Sequence, residues 1–174
     1  NKYGVPLSLF NLKLKKSTGI FEVGMDKKGE IDFLSNIIKP DIGIITNISF
    51  AHAKNFRSLN EIASAKGELI KNIKEGGIVI LNRDDKYFLF HKKKALRRGL
   101  NVVSFGIKNN ANIKLILKKK IKNKYKIFVE VFKEKKFFYI TNINQNNIYN
   151  ILASISLMFS IGYENKVKPD LFMT

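Results

Sequence analysis

The chain has 174 residues, of which 45% are hydrophobic; lysine and arginine number 32 against 14 acidic residues, so the formal net charge is +18. The hydrophobic fraction is sufficient for the core of one domain, and the absence of cysteine excludes disulfide bonds and thiolate metal sites. No apolar run reaches the about 18 residues that a membrane-spanning helix needs. Lysines occur in every segment, which favours a general compositional bias over a dedicated basic surface.

The first part of the chain has the pattern of alternating helices and strands. A glycine-bounded apolar run and an isoleucine-rich run predict two buried strands, and apolar residues at helical spacing predict a helix on either side of the first strand. In chain order the predicted elements are a helix over 3–14, a strand over 19–24, a helix over 29–38 and a strand over 41–48.

The alternation continues after a capping box formed by Ser58 and Glu61, which predicts the start of a helix that runs to about Lys74. A strand over 76–82, a helix over 84–96 and a strand over 101–106 follow. Strands that alternate with helices in this way indicate a parallel sheet covered by helices on both faces.

The alternation of strands and helices ends after residue 106. Residues 112–143 contain three β-rich runs separated by lysine-rich turns, which predict an antiparallel meander. Residues 146–162 return to helical periodicity, and Gly162 is placed to end that helix. The predicted fold class is therefore α/β, with a small antiparallel subregion.

Three polar side chains are predicted near the carboxyl edge of the parallel sheet, where such folds bind ligands. Glu22 lies inside the 19–24 strand, His52 follows the 41–48 strand, and Lys66 falls on the apolar face of the next helix. Each has a structural explanation by itself: Glu22 at a solvent-facing strand edge, His52 as a loop residue, and Lys66 with a buried stem and a solvated head.

Together the three residues point to metal-assisted phosphate chemistry. A carboxylate and an imidazole suit a divalent cation beside phosphates. A desolvated lysine loses its proton more easily, and the neutral amine can add carbon dioxide to become a carbamate, which is an anionic metal ligand. This hypothesis explains why Lys66 lies on an apolar helix face.

Several motifs in order resemble the central ATPase domain of the Mur ligases, a P-loop NTPase-like fold. They are E-x-G-x-x-x-x-G-E-I at 22–31, "TNISFAH" at 46–52, "AKGEL" at 65–69 and "GVPLSL" at 4–9. The resemblance is strongest to the branch that adds D-alanyl-D-alanine to UDP-MurNAc-tripeptide, and it covers nearly the whole chain.

The resemblance implies an enzyme that uses ATP to activate a peptide carboxylate as an acyl phosphate, which an amine then attacks. By their motif positions, Glu22 matches the ligand of one Mg²⁺ ion, while His52 and a carbamylated Lys66 match ligands of a second. Asn147 and Asn150 match asparagines of the helix that contacts adenine. The resemblance also implies a monomeric enzyme of the bacterial cytoplasm with small-molecule substrates and neither a nucleic-acid nor a membrane partner.

Two parts of the family pattern are missing from these residues. The phosphate-binding loop G-x-x-G-K-[ST] is expected upstream of Asn1, since the first methionine is Met25, and the C-terminal domain is expected beyond Thr174. Residues 1–174 are thus predicted to be one central domain, incomplete at both ends, that does not turn over ATP alone. Asn146 and Lys54 stand where the family usually has histidine and an acidic residue.

Other functions remain open from the sequence. A sister ligase on the same scaffold, such as the UDP-MurNAc-dipeptide ligase or folylpolyglutamate synthase, would share the motifs. A basic nucleic-acid-binding module would use "HKKKALRR" at 91–98 and "KLILKKKIKNKYK" at 114–126. A degenerate, non-catalytic homologue is disfavoured because Glu22, His52 and Lys66 are all present.

Overall fold

The computed structural model describes residues 4–10, 12, 18–50 and 55–173. The helices are α1 (Gly4–Phe10), α2 (Glu30–Ile38), α3 (Leu59–Lys66), α4 (Leu69–Asn72), α5 (Phe88–Arg97) and α6 (Gln145–Ser160), and a 3₁₀ turn spans Glu164–Lys166. The strands are β1 (Ile42–Ile45), β2 (Ile78–Asn82), β3 (Asn101–Gly106), β4 (Ile113–Ile121), β5 (Lys124–Val131) and β6 (Glu134–Ile140). Within the described ranges, every helix is too short or too polar to cross a membrane.

These strands form one sheet, and their order in space is their order in the chain. The β1–β2, β2–β3 and β3–β4 pairs are parallel, whereas β4–β5 and β5–β6 are antiparallel. The predicted parallel sheet and the predicted meander are therefore both confirmed, as parts of a single continuous sheet.

The meander projects from the edge at which the parallel strands end. β3 and β4 pair only at Phe105 with Ile113 and at Gly106 with Lys114. Since the two strands run in the same direction, residues 115–121 of β4 extend past the carboxyl end of β3. The hairpin formed with β5 thus stands on the same side of the molecule as the loops that follow β1, β2 and β3.

Helices cover both faces of the parallel part. Successive residues of a strand point to opposite faces, and in β2 Ile80 packs toward α6 while Val79 and Leu81 pack toward α4 and α5. The α6 face also buries Phe105, Ile113, Ile127, Phe138 and Leu152. Burial of this apolar area on both faces fixes the sheet and hence the positions of its end loops.

The strand predicted over 19–24 is wrong. Residues 18–25 are irregular, and the side chain of Ile20 is 81% exposed. Strand formation depends on pairing and burial as much as on composition, and a short apolar run carries no information about its partner. The helix predicted over 3–14 forms over Gly4–Phe10, and residues 11 and 13–17 lie outside the described part.

The predicted helix from the capping box to Lys74 is divided at Gly67 and Glu68 into α3 and α4. At Gly67 a Cβ atom would lie 3.1 Å from the carbonyl oxygen of Ala63 and 3.1 Å from Cδ2 of His91. Nε2 of buried His91 lies 2.9 Å from that same oxygen, and donates to it. Gly67 is thus required for the close approach of α5 to the α3–α4 turn.

Candidate functional site

Lys66 reaches the loop that leaves β1. It is the last residue of α3, and its Nζ donates to the backbone oxygen of Asn47 at 2.8 Å. Burial lowers the pKa of Lys66, and the negative charge of Asp85 opposes that effect without reversing it. The half-buried amine is therefore neutral more often than a solvated lysine.

Asp85 connects the same loop to the end of β2. Its Oδ2 accepts a hydrogen bond from the backbone N–H of Ile48 at 2.8 Å, and its Oδ1 accepts one from the backbone N–H of Tyr87 at 2.8 Å. The second bond forms a turn before Phe88, so α5 begins there and not at the predicted residue 84. The carboxylate thereby keeps the loop after β1 and the turn before α5 at a fixed distance from each other.

Asp84 makes the corresponding connection between β2, β3 and α6. Its Oδ2 accepts from the backbone N–H groups of Ile107 and Lys108, at 2.6 and 2.9 Å, and from the Tyr149 hydroxyl at 3.0 Å. Its Oδ1 accepts from both the backbone and the side-chain nitrogen of Asn109, at 2.8 and 2.9 Å. Burial acts to raise the pKa of Asp84, but these hydrogen bonds outweigh it and the pKa is lowered.

An apolar cluster beneath Lys66 brings three segments together. Ile62 and Ala65 of α3 are fully buried in it, and Ile48 from the β1 loop and Met25 pack against them. Met25 lies three residues after Glu22, so the segment that contains Glu22 passes close to the helix that contains Lys66.

The structure places Glu22 as an exposed side chain in the irregular 18–25 segment. His52 lies outside the described residues. Within the described ranges, which do not contain His52, no three histidine, cysteine, aspartate or glutamate side chains lie together so that they could hold a metal. The carboxylate and the partly desolvated amine are nevertheless of the chemical types that a magnesium site with a carbamate ligand uses.

Asn147 and Asn150 line a cleft of about 480 Å³ at the start of α6. The side chain of Asn147 forms part of the wall of this cleft, where its Nδ2 donates to the backbone oxygen of Asn142 at 2.7 Å. Asn150 is exposed. Tyr149, the residue before Asn150, does not line this cleft; its hydroxyl donates to Asp84 at the end of β2.

The sequence analysis missed the roles of Asp84, Asp85 and Glu68. The two aspartates follow directly after the buried strand β2, and acids at that position are a signal that could have identified them. Glu68 accepts hydrogen bonds from Gly29, 39 residues away, and nothing in the local sequence indicates that contact.

Comparisons with known proteins identify the family of this fold. The family model "Mur ligase middle domain" matches residues 1–158. The UDP-N-acetylmuramoyl-tripeptide–D-alanyl-D-alanine ligase of Borreliella burgdorferi is 34% identical over 98% of this chain, and that of Buchnera aphidicola from Acyrthosiphon pisum is 40% identical over 62%. The chain spans only 36% and 23% of the lengths of these two relatives.

A solved structure is similar over most of the fold. The MurF ligase of Thermotoga maritima in complex with ADP superposes with a TM-score of 0.77 and 27% identity. The match covers 92% of this chain and 36% of that chain. The similarity therefore extends over the parallel sheet, the meander and α6 together.

Proposed function

Because this chain belongs to the Mur ligase middle domain family, we propose that it is the ATP-using catalytic domain of a ligase that joins D-alanyl-D-alanine to UDP-MurNAc-tripeptide. Lys66 is the observation that carries the proposal, since its half-buried amine lies on the "AKGEL" motif and bonds to the loop of the "TNISFAH" motif. The names of the most similar relatives support this ligase over a sister ligase.

The nucleotide binds in the cleft beside α6 in this proposal. Asn150 is exposed there and offers both an amide donor and an acceptor to the adenine edge. Asn147 shapes the wall through its bond to Asn142. The similar Thermotoga maritima ligase, whose structure contains ADP, supports a nucleotide site in this fold.

Lys66 acts as a carbamate. Its neutral amine forms a bond from nitrogen to the carbon of carbon dioxide and releases one proton, which leaves an anionic carboxylate on nitrogen. The remaining N–H can keep donating to the Asn47 oxygen, now 2.8 Å from Nζ.

Glu22, His52 and carbamylated Lys66 would hold two Mg²⁺ ions, which neutralise charge on the transferring phosphoryl group. The irregular 18–25 segment leaves Glu22 exposed and accessible to such an ion. The peptide carboxylate attacks the γ-phosphorus and ADP leaves, which gives an acyl phosphate. The amine then attacks the carbonyl carbon, loses a proton and displaces inorganic phosphate. We further propose that the enzyme is monomeric and cytoplasmic and has no nucleic-acid partner.

Phosphate release by the full-length gene product tests the proposal. ATP and Mg²⁺ are supplied with UDP-MurNAc-tripeptide and D-alanyl-D-alanine, separately and together, and release is expected only when both substrates are present. Lys66→Ala is expected to lower the rate roughly a hundredfold or more, since a metal contributes several kcal/mol to the transition state. Short carboxylates such as formate should restore part of that rate.

Lys74→Ala is the matched control, because Lys74 forms only an exposed ion pair with Asp41 and should retain the wild-type rate. A Lys66→Ala variant that equals this control would contradict the proposal. Release that requires a different amine acceptor would instead assign the chain to a sister ligase. Residues 1–174 alone are expected to release no phosphate.

A further inference from the structure

Glu68 follows Lys66 by two residues and binds a distant part of the chain. Its Oε1 accepts from the backbone N–H of Gly29 at 2.9 Å, and its Oε2 accepts from Gly29 at 3.0 Å and from the backbone N–H of Asp32 at 3.1 Å. These N–H groups belong to the start of α2, where no carbonyl of the same helix can accept from them. One carboxylate thus caps a helix that belongs to another segment.

The start of α2 is continuous with the segment that carries Glu22. Oε2 of Glu30 accepts from the backbone N–H groups of Asp26 and Lys27, at 2.6 and 3.2 Å. Residues 26–30 therefore form a compact turn, and Met25 before it packs against α3. The segment of Glu22 is thus joined to the start of α2 through this turn and to α3 through Met25.

The turn that carries Glu68 is itself held in place. Nζ of Lys94 donates to the backbone oxygen of Gly67 at 2.6 Å, so α5 also holds the α3–α4 turn. On α4, Nδ2 of Asn72 donates to Oδ1 of Asp32 at 2.8 Å, a second bond between α4 and the first turn of α2. Glu68 is thus a fixed support for α2.

We propose that Glu68 is a positioning residue that sets the distance between Glu22 and Lys66. This inference rests on the proposed function, in which both side chains contribute to the metal sites. Residues that hydrogen-bond around a metal site orient its ligands, and their loss typically weakens metal binding about 10- to 100-fold. The carboxylate is suited to this task because it accepts all three bonds at once and its negative charge stabilises a helix N-terminus.

Hydrogen exchange of individual amides tests the contact without any substrate. In Glu68→Ala, exchange at Gly29 and Asp32 is expected to accelerate at least about tenfold, because both N–H groups lose their acceptor. Glu68→Gln keeps one acceptor oxygen and should give a smaller acceleration. The matched control is Glu75→Ala, an exposed glutamate before β2 that should leave both amides unchanged.

Amides of β2 such as Val79 serve as the folding control and should remain protected in all three variants. Unchanged exchange at Gly29 and Asp32 in Glu68→Ala would overturn the inference. If Glu68→Ala does not fold, Glu68→Gln is compared with the wild type instead, because glutamine has nearly the same shape as glutamate. Exchange at Gly29 and Asp32 must then be faster in Glu68→Gln than in the wild type.

Manganese binding tests the consequence for the site. The affinity of the full-length gene product for Mn²⁺ in the presence of ATP is measured by electron paramagnetic resonance. We expect a loss of about 10- to 100-fold in Glu68→Ala, a smaller loss in Glu68→Gln and none in Glu75→Ala. The Mg²⁺ concentration for half-maximal phosphate release should rise in the same order, with a smaller change in the rate at saturating Mg²⁺.

The outcomes separate this inference from the proposed function. If the wild-type protein binds Mn²⁺ and releases phosphate but Glu68→Ala binds Mn²⁺ equally well, only the positioning role is overturned. If the wild-type protein binds no Mn²⁺ with ATP, the proposed function is overturned, and the positioning role with it.

Discussion

The two halves of the sheet use their polar side chains differently. In the parallel half, β1–β3, helices cover both faces, and the acids at the carboxyl edge bond to the backbone of other segments, as Asp84 and Asp85 do. In the meander, β4–β6, one face packs on α6 and the other carries lysines beside aromatic rings. Nζ of Lys126, for example, lies 3.8 Å from the ring centroid of Phe137.

Charge divides the halves as well. Residues 113–140 carry ten of the 32 lysine and arginine residues and two of the 14 acidic residues. Within the described meander, the recorded ion pair joins Lys136 to Glu134 at 2.8 Å. The excess of positive charge is thus concentrated in the meander and is not spread evenly along the chain. Polar side chains thus build structure in the parallel half and mainly face solvent in the meander.

Removing Asp84 is expected to have the largest effect on stability. Asp84→Ala leaves three backbone N–H groups and the Tyr149 hydroxyl without their acceptor, so we expect the free energy of unfolding to fall by about 3 kcal/mol. Urea unfolding measures this loss. Asp170→Ala, at an exposed position near the end of the chain, is the control and should change it by less than about 0.5 kcal/mol.

The pH dependence of this loss follows from the lowered pKa of Asp84. The folded state holds the ionised form more strongly than the unfolded state does. The stabilisation is therefore complete above the unfolded pKa of about 3.9 and is lost as the pH falls through the lower folded pKa. The stability difference between wild type and Asp84→Asn should persist at pH 5 and shrink only below about pH 4; a difference that shrinks already above pH 5 would contradict this.

A smaller effect, of opposite sign, is expected at the β5–β6 turn. Phe132 and Lys133 have φ angles of +47° and +76°, as a two-residue type I′ turn requires. Side chains other than asparagine and glycine disfavour this conformation. Replacing the pair by Asn-Gly should raise the free energy of unfolding by about 1 kcal/mol. Phosphate release should not change, since the meander turn is not part of the site.

Asparagine alone at residue 132 should give part of that gain. A loss of stability on introducing Asn-Gly would show that the exposed Phe132 ring, and not the backbone, determines the stability of the turn.

The smallest effect is expected at the exposed end of β4, beyond its pairing with β3. Lys118, Lys119 and Lys120 are exposed. Changing all three to serine should alter the free energy of unfolding by less than about 0.5 kcal/mol. Binding of single-stranded RNA, measured against salt concentration, is expected to be weak in both proteins. Tight, steeply salt-dependent binding that the triple variant loses would contradict the view of a solvated face and favour a nucleic-acid partner.

Local patterns in the sequence predicted local structure well. The strand over 101–106 has the predicted bounds, and it pairs with β2 from Asn101 to Phe105. The capping box is confirmed in one half, since Oγ of Ser58 accepts from the backbone N–H of Glu61 at 3.2 Å. In a capping box the Glu61 side chain would accept from the backbone N–H of Ser58. Here Oε2 of Glu61 accepts from the backbone N–H of Arg57 instead, at 2.9 Å.

Predictions that depend on distant partners were less successful. The apolar run at 19–24 has the composition of a strand but does not pair, and composition contains no record of pairing. Lys66 could be singled out because helical spacing is a local property. The bonds of Glu68 to α2 could not, because they depend on how two helices are oriented by the whole core. The roles of Glu22, His52, Lys66, Asn147 and Asn150 stay predictions.

The close approach at Gly67 has a consequence for evolution. A methyl group there would press on the His91 ring, and that ring also binds the Ala63 oxygen. The cost of Gly67→Ala therefore depends on how far the His91 ring can move, and the Ala63 oxygen limits the relief because it is equally close. The effects of substitutions at residues 67 and 91 are expected to be non-additive, so the two positions constrain each other in evolution.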